Sequence, residues 1–324
     1  MNNRNTNIDI LKGIGIIAVI VGHLTTIWHL RGLIYSFHMP LFFLASGYFF
    51  KYQKNKDFIY KLINKLLKPY IFFSFIIFII SYIFNSTTEH QNFHFYLKMK
   101  IFADGYYNDT KIWGNMPPIG ILWFLPALFW CRIIFNNIQT YKYNYLIAIF
   151  ISITSVYLGK NIINIPFGIL EGGQAVIFYM MGTTYSNSHI QTRINRFIQN
   201  IFIASIWIII ASYNYMSMAD FSYSNWPLNI IGAISGTWCI YKLILYFSRI
   251  PYQIINIFKD IFIWFGKNSL YIFCIHSMLM SIQNHILPLN DTTWSITVII
   301  HIITATLLTL FYNYYRKKTY GKIN

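Results

Sequence analysis

The chain has 324 residues, of which 56% are hydrophobic, 20% aromatic and only 10% charged, where soluble domains carry about 25% charged residues. A water-soluble fold of this length cannot hide so much apolar surface in one core, so the composition calls for a bilayer. In a soluble protein a net charge of +16 would suggest nucleic acid. Here the basic residues cluster in the short segments between apolar runs, the pattern that sets membrane topology, and nucleic acid is not an expected partner.

The apolar runs predict an all-α integral membrane protein, a bundle of about ten transmembrane helices of about 20 residues each. The expected spans are residues 8–28, 33–50, 70–86, 119–138, 143–159, 168–185, 198–215, 227–246, 268–287 and 294–315. No internal repeat or composition shift divides the chain, so residues 1–324 read as one domain. Segment 51–69 reads as a basic cytoplasmic loop. Segment 87–118, with Asp104, Asp109 and the Met116-Pro117-Pro118 turn, reads as a partly folded outer cap. An N-in, C-in topology leaves only Arg31, Lys98, Lys100, Lys111 and Lys160 outside, and 20 of the 25 Lys and Arg in the cytoplasm. Such a chain belongs in the cell (cytoplasmic) membrane. The first run holds Lys12 and His23 and lacks a small-residue cleavage site, which argues against a cleavable signal peptide. Cys131, Cys239 and Cys274 lie in apolar runs without paired or metal-ligand spacing, so neither disulfides nor a metal are expected.

Ionisable groups inside a bilayer are functional candidates by default, and the first span carries Asp9, Lys12 and His23. Asp9 and Lys12 are three apart on one helical face and can pair there, or can anchor the helix at the headgroups. His23 follows Lys12 by eleven residues, about three turns, which puts both on nearly one face roughly 16 Å apart. A hairpin turning near Leu30-Arg31 would bring His38 of the second span to the depth of His23. Pro40 should bend that helix or free a carbonyl. Paired imidazoles, with an ordinary pKa of about 6.5, suit acid–base work near neutral pH.

The stretch from Asp9 to Phe50, reading DILKGIGIIAVIVGHL and then IYSFHMPLFFLASGYFF, resembles the start of acyltransferase family 3, polytopic membrane proteins that move acyl groups onto extracytoplasmic sugars. Lys12 and His23 match the family's basic residue, ten intervening residues and histidine; Pro40 through Gly47 match its second helix. The FHMPLFF form is most similar to the branch of fucose O-acetylases. KLINKLLKP, with Lys61, Lys65, Lys68 and Pro69, resembles the family's basic cluster, in which arginine is frequent. ILWFL with Trp123 and GKNSLYIFCIH with Ser269 and His276 extend the resemblance to about residue 280.

The resemblance implies an acyl-CoA-dependent O-acyltransferase, with acetyl-CoA as the donor co-substrate and a hydroxyl of an extracytoplasmic or lipid-linked cell-surface glycan as acceptor. Lys12, Lys61, Lys65 and Lys68 would hold the CoA phosphates. His23 would act as general base or as an acyl-accepting nucleophile, and His38 would orient it or donate to the oxyanion. Asp9, Trp123, Glu171 and His276 are further candidates for substrate contact. Glu171 also reads as a solvated helix end, Trp123 as an interfacial belt residue, and His276 as core packing or a helix–helix hydrogen bond. His29, His90, His94, His189, His285 and His301 offer no usable spacing, and Arg193 and Arg196 read as topology determinants. The rival reading is a proton-coupled transporter or flippase of a lipid-linked glycan, against which stands the absence of repeated halves with broken helices.

Overall fold

The Asn5 side chain accepts hydrogen bonds from the backbone N–H groups of Asn7 and Ile8. It thereby supplies the N-cap from which helix α1 (Thr6–Leu24) runs. The structure, a computed structural model, describes residues 5–54, 57–85, 108–110, 114–116, 119–161, 165–187, 197–286 and 289–320. After α1 come α2 (Trp28–Tyr35), α3 (His38–Tyr48), α4 (Asp57–Leu62), a π-helical turn (Ile63–Leu67) and α5 (Lys68–Asn85). A 3-10 turn (Gly120–Trp123) leads into α6 (Phe124–Ile138), then α7 (Asn144–Asn161), α8 (Ile169–Gln174), α9 (Val176–Asn187) and α10 (Phe197–Tyr213). The last four helices are α11 (Trp226–Ser248), α12 (Gln253–Lys267), α13 (Ser269–Ile286) and α14 (Trp294–Tyr320). Two short antiparallel hairpins complete the described chain: β1 (Asn108–Thr110) with β2 (Gly114–Met116), and β3 (Met216–Ser217) with β4 (Ser222–Tyr223).

The protein is thus an all-α membrane protein. Among the described residues, five helical stretches are long and apolar enough to cross a bilayer: Thr6–Leu24, Asp57–Ile83, Gly120–Ile138, Trp226–Ser248 and Trp294–Lys318. Shorter apolar helices, Asn144–Lys160, Ile198–Tyr213 and Ser269–Gln283, accompany them. The apolar surface of α5 and α14 points outward, with Ile71, Phe72, Phe75, Ile299, Ile303 and Leu307 all exposed, an arrangement that only lipid stabilises. By contrast 61% of the α1 window and 72% of the Gly120–Ile138 window are buried against 28% for α14, so α1 and α6 are interior helices.

Several expected spans are broken. The second is two helices meeting at Ser36–Phe37, so Leu30 and Arg31 lie within helix α2 rather than at a turn. The Ser36 hydroxyl donates to the Leu33 carbonyl at 2.6 Å and accepts from Trp207 Nε1 at 2.8 Å, satisfying the break. Pro40 falls in the first turn of α3, where its missing N–H costs nothing, so it helps start that helix rather than bend it. The sixth span breaks at Ala175, where the Ser152 hydroxyl donates to the Gly173 carbonyl and accepts from the Ile177 N–H. The basic segment 51–69 is largely helical. There the Lys68 N–H reaches back five residues to the Ile63 carbonyl, and Pro69 lacks the N–H that would restore α geometry. Residues 253–267, placed in a loop by the sequence, form α12 against α1. The expected outer cap at 87–118, apart from β1 and β2, and Arg193 and Arg196 lie outside the described residues.

Close backbone approach holds the interior helices together. A Cβ on Gly13 would sit 2.1 Å from the Phe262 carbonyl oxygen, and one on Gly266 1.8 Å from that of Asp9. These two contacts make α12 antiparallel to α1. Gly47 and Gly182 join α3 to α9 in the same way, each Cβ falling 2.0 Å from a carbonyl oxygen of the other helix, Tyr179 and Leu44 respectively. Small residues permit such packing where apolar side chains gain nothing over lipid. Gly266→Ala is therefore expected to destabilise the protein by about 1–3 kcal/mol, read as a lower unfolding temperature in detergent. Gly32→Ala, whose Cβ would meet its nearest neighbour at 3.5 Å, should leave that temperature unchanged.

Candidate functional site

The N-terminal half of α1 carries the first cluster. Lys12 Nζ is 2.9 Å from Asp9 Oδ1, and Asp9 is only 2% exposed. This is a buried ion pair, whose rupture strands a charge. Lys12 opens onto a cavity of about 300 Å3 that is also lined by Lys65, Arg132 and Lys267, with Phe42, Phe124 and Phe273 among its apolar walls. Among the described residues, four cations and no carboxylate line this cavity. Like charges gathered at low dielectric repel one another, and a multivalent anion relieves the repulsion. The π turn belongs to this cluster, since Lys65 lies within it. Lys61 and Lys68, on either side of that turn, are exposed and do not line the cavity.

The other end of α1 carries the histidines. His23 and His38 come together with ring centroids 5.9 Å apart, although the chain turns elsewhere than expected. Nδ1 of His23 lies 3.0 Å from the Tyr35 hydroxyl, and the Tyr35 ring is 4.9 Å from that of His38. His38 Nδ1 lies 2.9 Å from the Ile34 carbonyl oxygen. A carbonyl only accepts, so neutral His38 carries its proton on Nδ1 and presents a lone pair at Nε2. His276 of α13 lies 6.3 Å from His23, ring to ring, and its Nδ1 is 2.9 Å from Nδ1 of His301 on α14. His276 thus takes part in a helix–helix hydrogen bond through Nδ1, and its partner is a histidine the spacing had left unassigned.

A small cavity of about 20 Å3, room for roughly one water, is lined by His23, His38, Tyr35, Trp123 and residues Met216 to Ala219 of the β3–β4 hairpin. Gln174 pins this hairpin, donating to the Met218 carbonyl at 2.7 Å and accepting from the Tyr223 hydroxyl. Outside it Tyr215 stacks between Trp28 and Tyr35, with centroids 5.7 and 6.2 Å away. Trp123 therefore joins the histidines. Glu171, 3% exposed in α8, is buried rather than a solvated helix end and lines neither cavity. Asp9 belongs to the cation cluster as the partner of Lys12.

Arg132 and His301 escaped the sequence reading although the rule that singled out Lys12 and His23, an ionisable group within an apolar run, applies to them equally. Tyr35, Lys267 and the β3–β4 hairpin carried no such signal.

The profile of the acyltransferase domain family, acyltransferase family 3, matches residues 5–313 of the chain. No curated protein and no solved structure matches it.

Lys12→Ala removes a half-buried cation from beside the buried Asp9 carboxylate and is expected to destabilise the protein, read as a lower unfolding temperature in detergent. The double variant Asp9→Asn/Lys12→Ala should recover most of that loss, since no charge is then stranded.

Proposed function

We propose, from the premise that the chain belongs to the acyltransferase domain family, that it moves an acetyl group from cytoplasmic acetyl-CoA to a hydroxyl of an extracytoplasmic or lipid-linked cell-surface glycan. The observation that carries this reading is the division of α1. Its first turns border a cavity ringed by four cations, and His23 stands eleven residues further along, in the histidine cluster. Acyl-CoA is anionic and stays in the cytoplasm, whereas the acceptor lies on the other side. One helix joining an anion site to a base supports their meeting within the membrane. The cation cavity then faces the cytoplasm, which agrees with the N-in topology expected from charge.

In this reading the phosphates of CoA engage Lys12, Lys65, Arg132 and Lys267, the guanidinium giving a bidentate contact that lysine cannot. Lys61 and Lys68, proposed from the basic cluster, are left out of the contact set because they do not line the cavity, whereas Lys65 does. The tautomer in which His23 Nδ1–H donates to the Tyr35 hydroxyl oxygen, one of the two that the contact allows, leaves Nε2 as the base. The acceptor hydroxyl gives its proton to Nε2 and attacks the thioester carbon. The new C–O bond forms, the C–S bond breaks, and the departing thiolate takes that proton as free CoA. His38, tied by Nδ1 to Ile34, orients the cluster. As a neutral ring it can accept but not donate at Nε2, which weighs against its serving as the oxyanion donor. Trp28, exposed and stacked on Tyr215, offers a flat apolar face for a sugar ring at the outer side.

Three measurements on purified protein in nanodiscs test this. His23→Ala should lower acetyl-CoA turnover with cell-envelope glycan by 10²–10⁴-fold at wild-type yield. Wild-type protein that is folded yet neither binds nor consumes acetyl-CoA would instead favour the transporter. Tyr35→Phe, losing a hydrogen bond worth about 1 kcal/mol, should lower kcat roughly five- to tenfold with KM unchanged. Charge reversal of Lys65 and Lys267 together should weaken acetyl-CoA binding at least tenfold, and the same change at Lys61 and Lys68 should not.

A further inference from the structure

His276 is 0% exposed and His301 3% exposed, and their hydrogen bond joins Nδ1 to Nδ1. Each neutral imidazole has one N–H and one lone pair, so one ring of such a pair donates and the other accepts. The bond consumes Nδ1 of His276 and leaves Nε2. That atom is buried and has no hydrogen-bond partner, a condition that normally costs about 1–3 kcal/mol and that a catalytic role explains. It belongs to a ring 6.3 Å, centroid to centroid, from the ring of His23, so the two imidazoles are neighbours in one cluster. Among the described residues, Nε2 of His276 is the only imidazole nitrogen in this cluster left both buried and unpartnered.

We infer that His276 is a second catalytic residue, whose Nε2–H donates to the thioester carbonyl oxygen as that oxygen becomes the oxyanion, and that His301 is the positioning residue that makes it a donor. When His301 Nδ1–H donates to His276 Nδ1, the proton of neutral His276 must sit on Nε2. The unpartnered atom is then an N–H, available to developing negative charge. Such pre-aligned donors act where water is excluded and need no reorganisation during the reaction. No proton is transferred in this role: His23 performs the acid–base step, and His276 forms a hydrogen bond that strengthens as the C–O bond forms. The division of labour also fits His38, whose Nδ1–H is already committed to a carbonyl. The inference rests on the acyl-transfer reading above.

The test uses the full chain in nanodiscs with acetyl-CoA as the probe. His276→Ala should lower kcat for CoA release by 10²–10³-fold, the usual cost of one oxyanion donor, with acetyl-CoA affinity unchanged. His276→Gln keeps an N–H donor and should recover at least tenfold of that loss. His301→Ala should lower kcat about tenfold at constant KM. A structural role would leave one readout untouched, the carbonyl stretch of bound acetyl-CoA labelled with carbon-13 in the His23→Ala background, which holds the thioester without turnover. A donor at Nε2 lowers that frequency relative to free acetyl-CoA, and removing His276 raises it again. Turnover of His276→Ala within a few-fold of wild type overturns the assignment, as does a frequency indifferent to His276. Either result, with His23-dependent turnover intact, leaves the acyl-transfer reading standing; wild-type protein that neither binds nor consumes acetyl-CoA overturns both.

Discussion

Everything in this molecule hangs on how closely other helices approach α1. A helix carrying Asp9, Lys12 and His23 cannot face lipid without a cost of several kcal/mol per charge, so it must be wrapped. The wrapping is achieved by backbone contact: Gly13 lies against Phe262 and Gly266 against Asp9, with no side chain between the two helices. A methyl group at either glycine would push α12 outward and open the polar face of α1. The ion pair of Asp9 and Lys12 lies at that same crossing. The packing that lets α12 close on α1 therefore also fixes where Lys12 stands.

The two ends of α1 then acquire different chemistry from different neighbours. At one end the π turn supplies Lys65, α6 supplies Arg132, and the end of α12 supplies Lys267. Excess positive charge there makes an anion the natural complement. At the other end α2, α3, α13 and α14 bring rings, and the histidines meet beside Arg31, whose guanidinium lies 5.5 Å from the centre of the Tyr35 ring. Phe124, a wall of the first cavity, directly follows Trp123, a wall of the second. One short segment of α6 and its 3-10 turn thus separates the two regions.

The broken helices are part of the same design. Breaks at Ser36–Phe37 and Ala175 free backbone groups that lipid could not satisfy, and both are repaired by serine side chains, Ser36 itself and Ser152 of α7. The first break allows α3 to begin at His38, with its ring anchored to the last turn of α2. The β3–β4 hairpin, held by Gln174 and by the Asn229 amide donating to the Asn214 and Tyr215 carbonyls, roofs the histidines with methionine, serine and alanine. Where the chain departs from plain spanning helices, it does so around the site.

The sequence by itself determined the solvent, the helical class and the axis of the site. Apolar composition forces backbone hydrogen bonds to be satisfied within helices, and an ionisable residue in an apolar run is conspicuous, so Lys12, His23 and His38 were legible as a line along one helix and its neighbour. Only the tertiary structure decided which other groups converge on that line. Lys65 lies in a π turn between Lys61 and Lys68, whose rotation no residue count reveals, and α12, amphipathic but too short and polar for a span, is seen against α1 only in the folded chain. His301 becomes a partner of His276 only when α13 and α14 pack, since a hydrogen bond between helices depends on their relative rotation and depth. Sequence spacing fixes position within a helix; it carries no information about the rotation of one helix against the next.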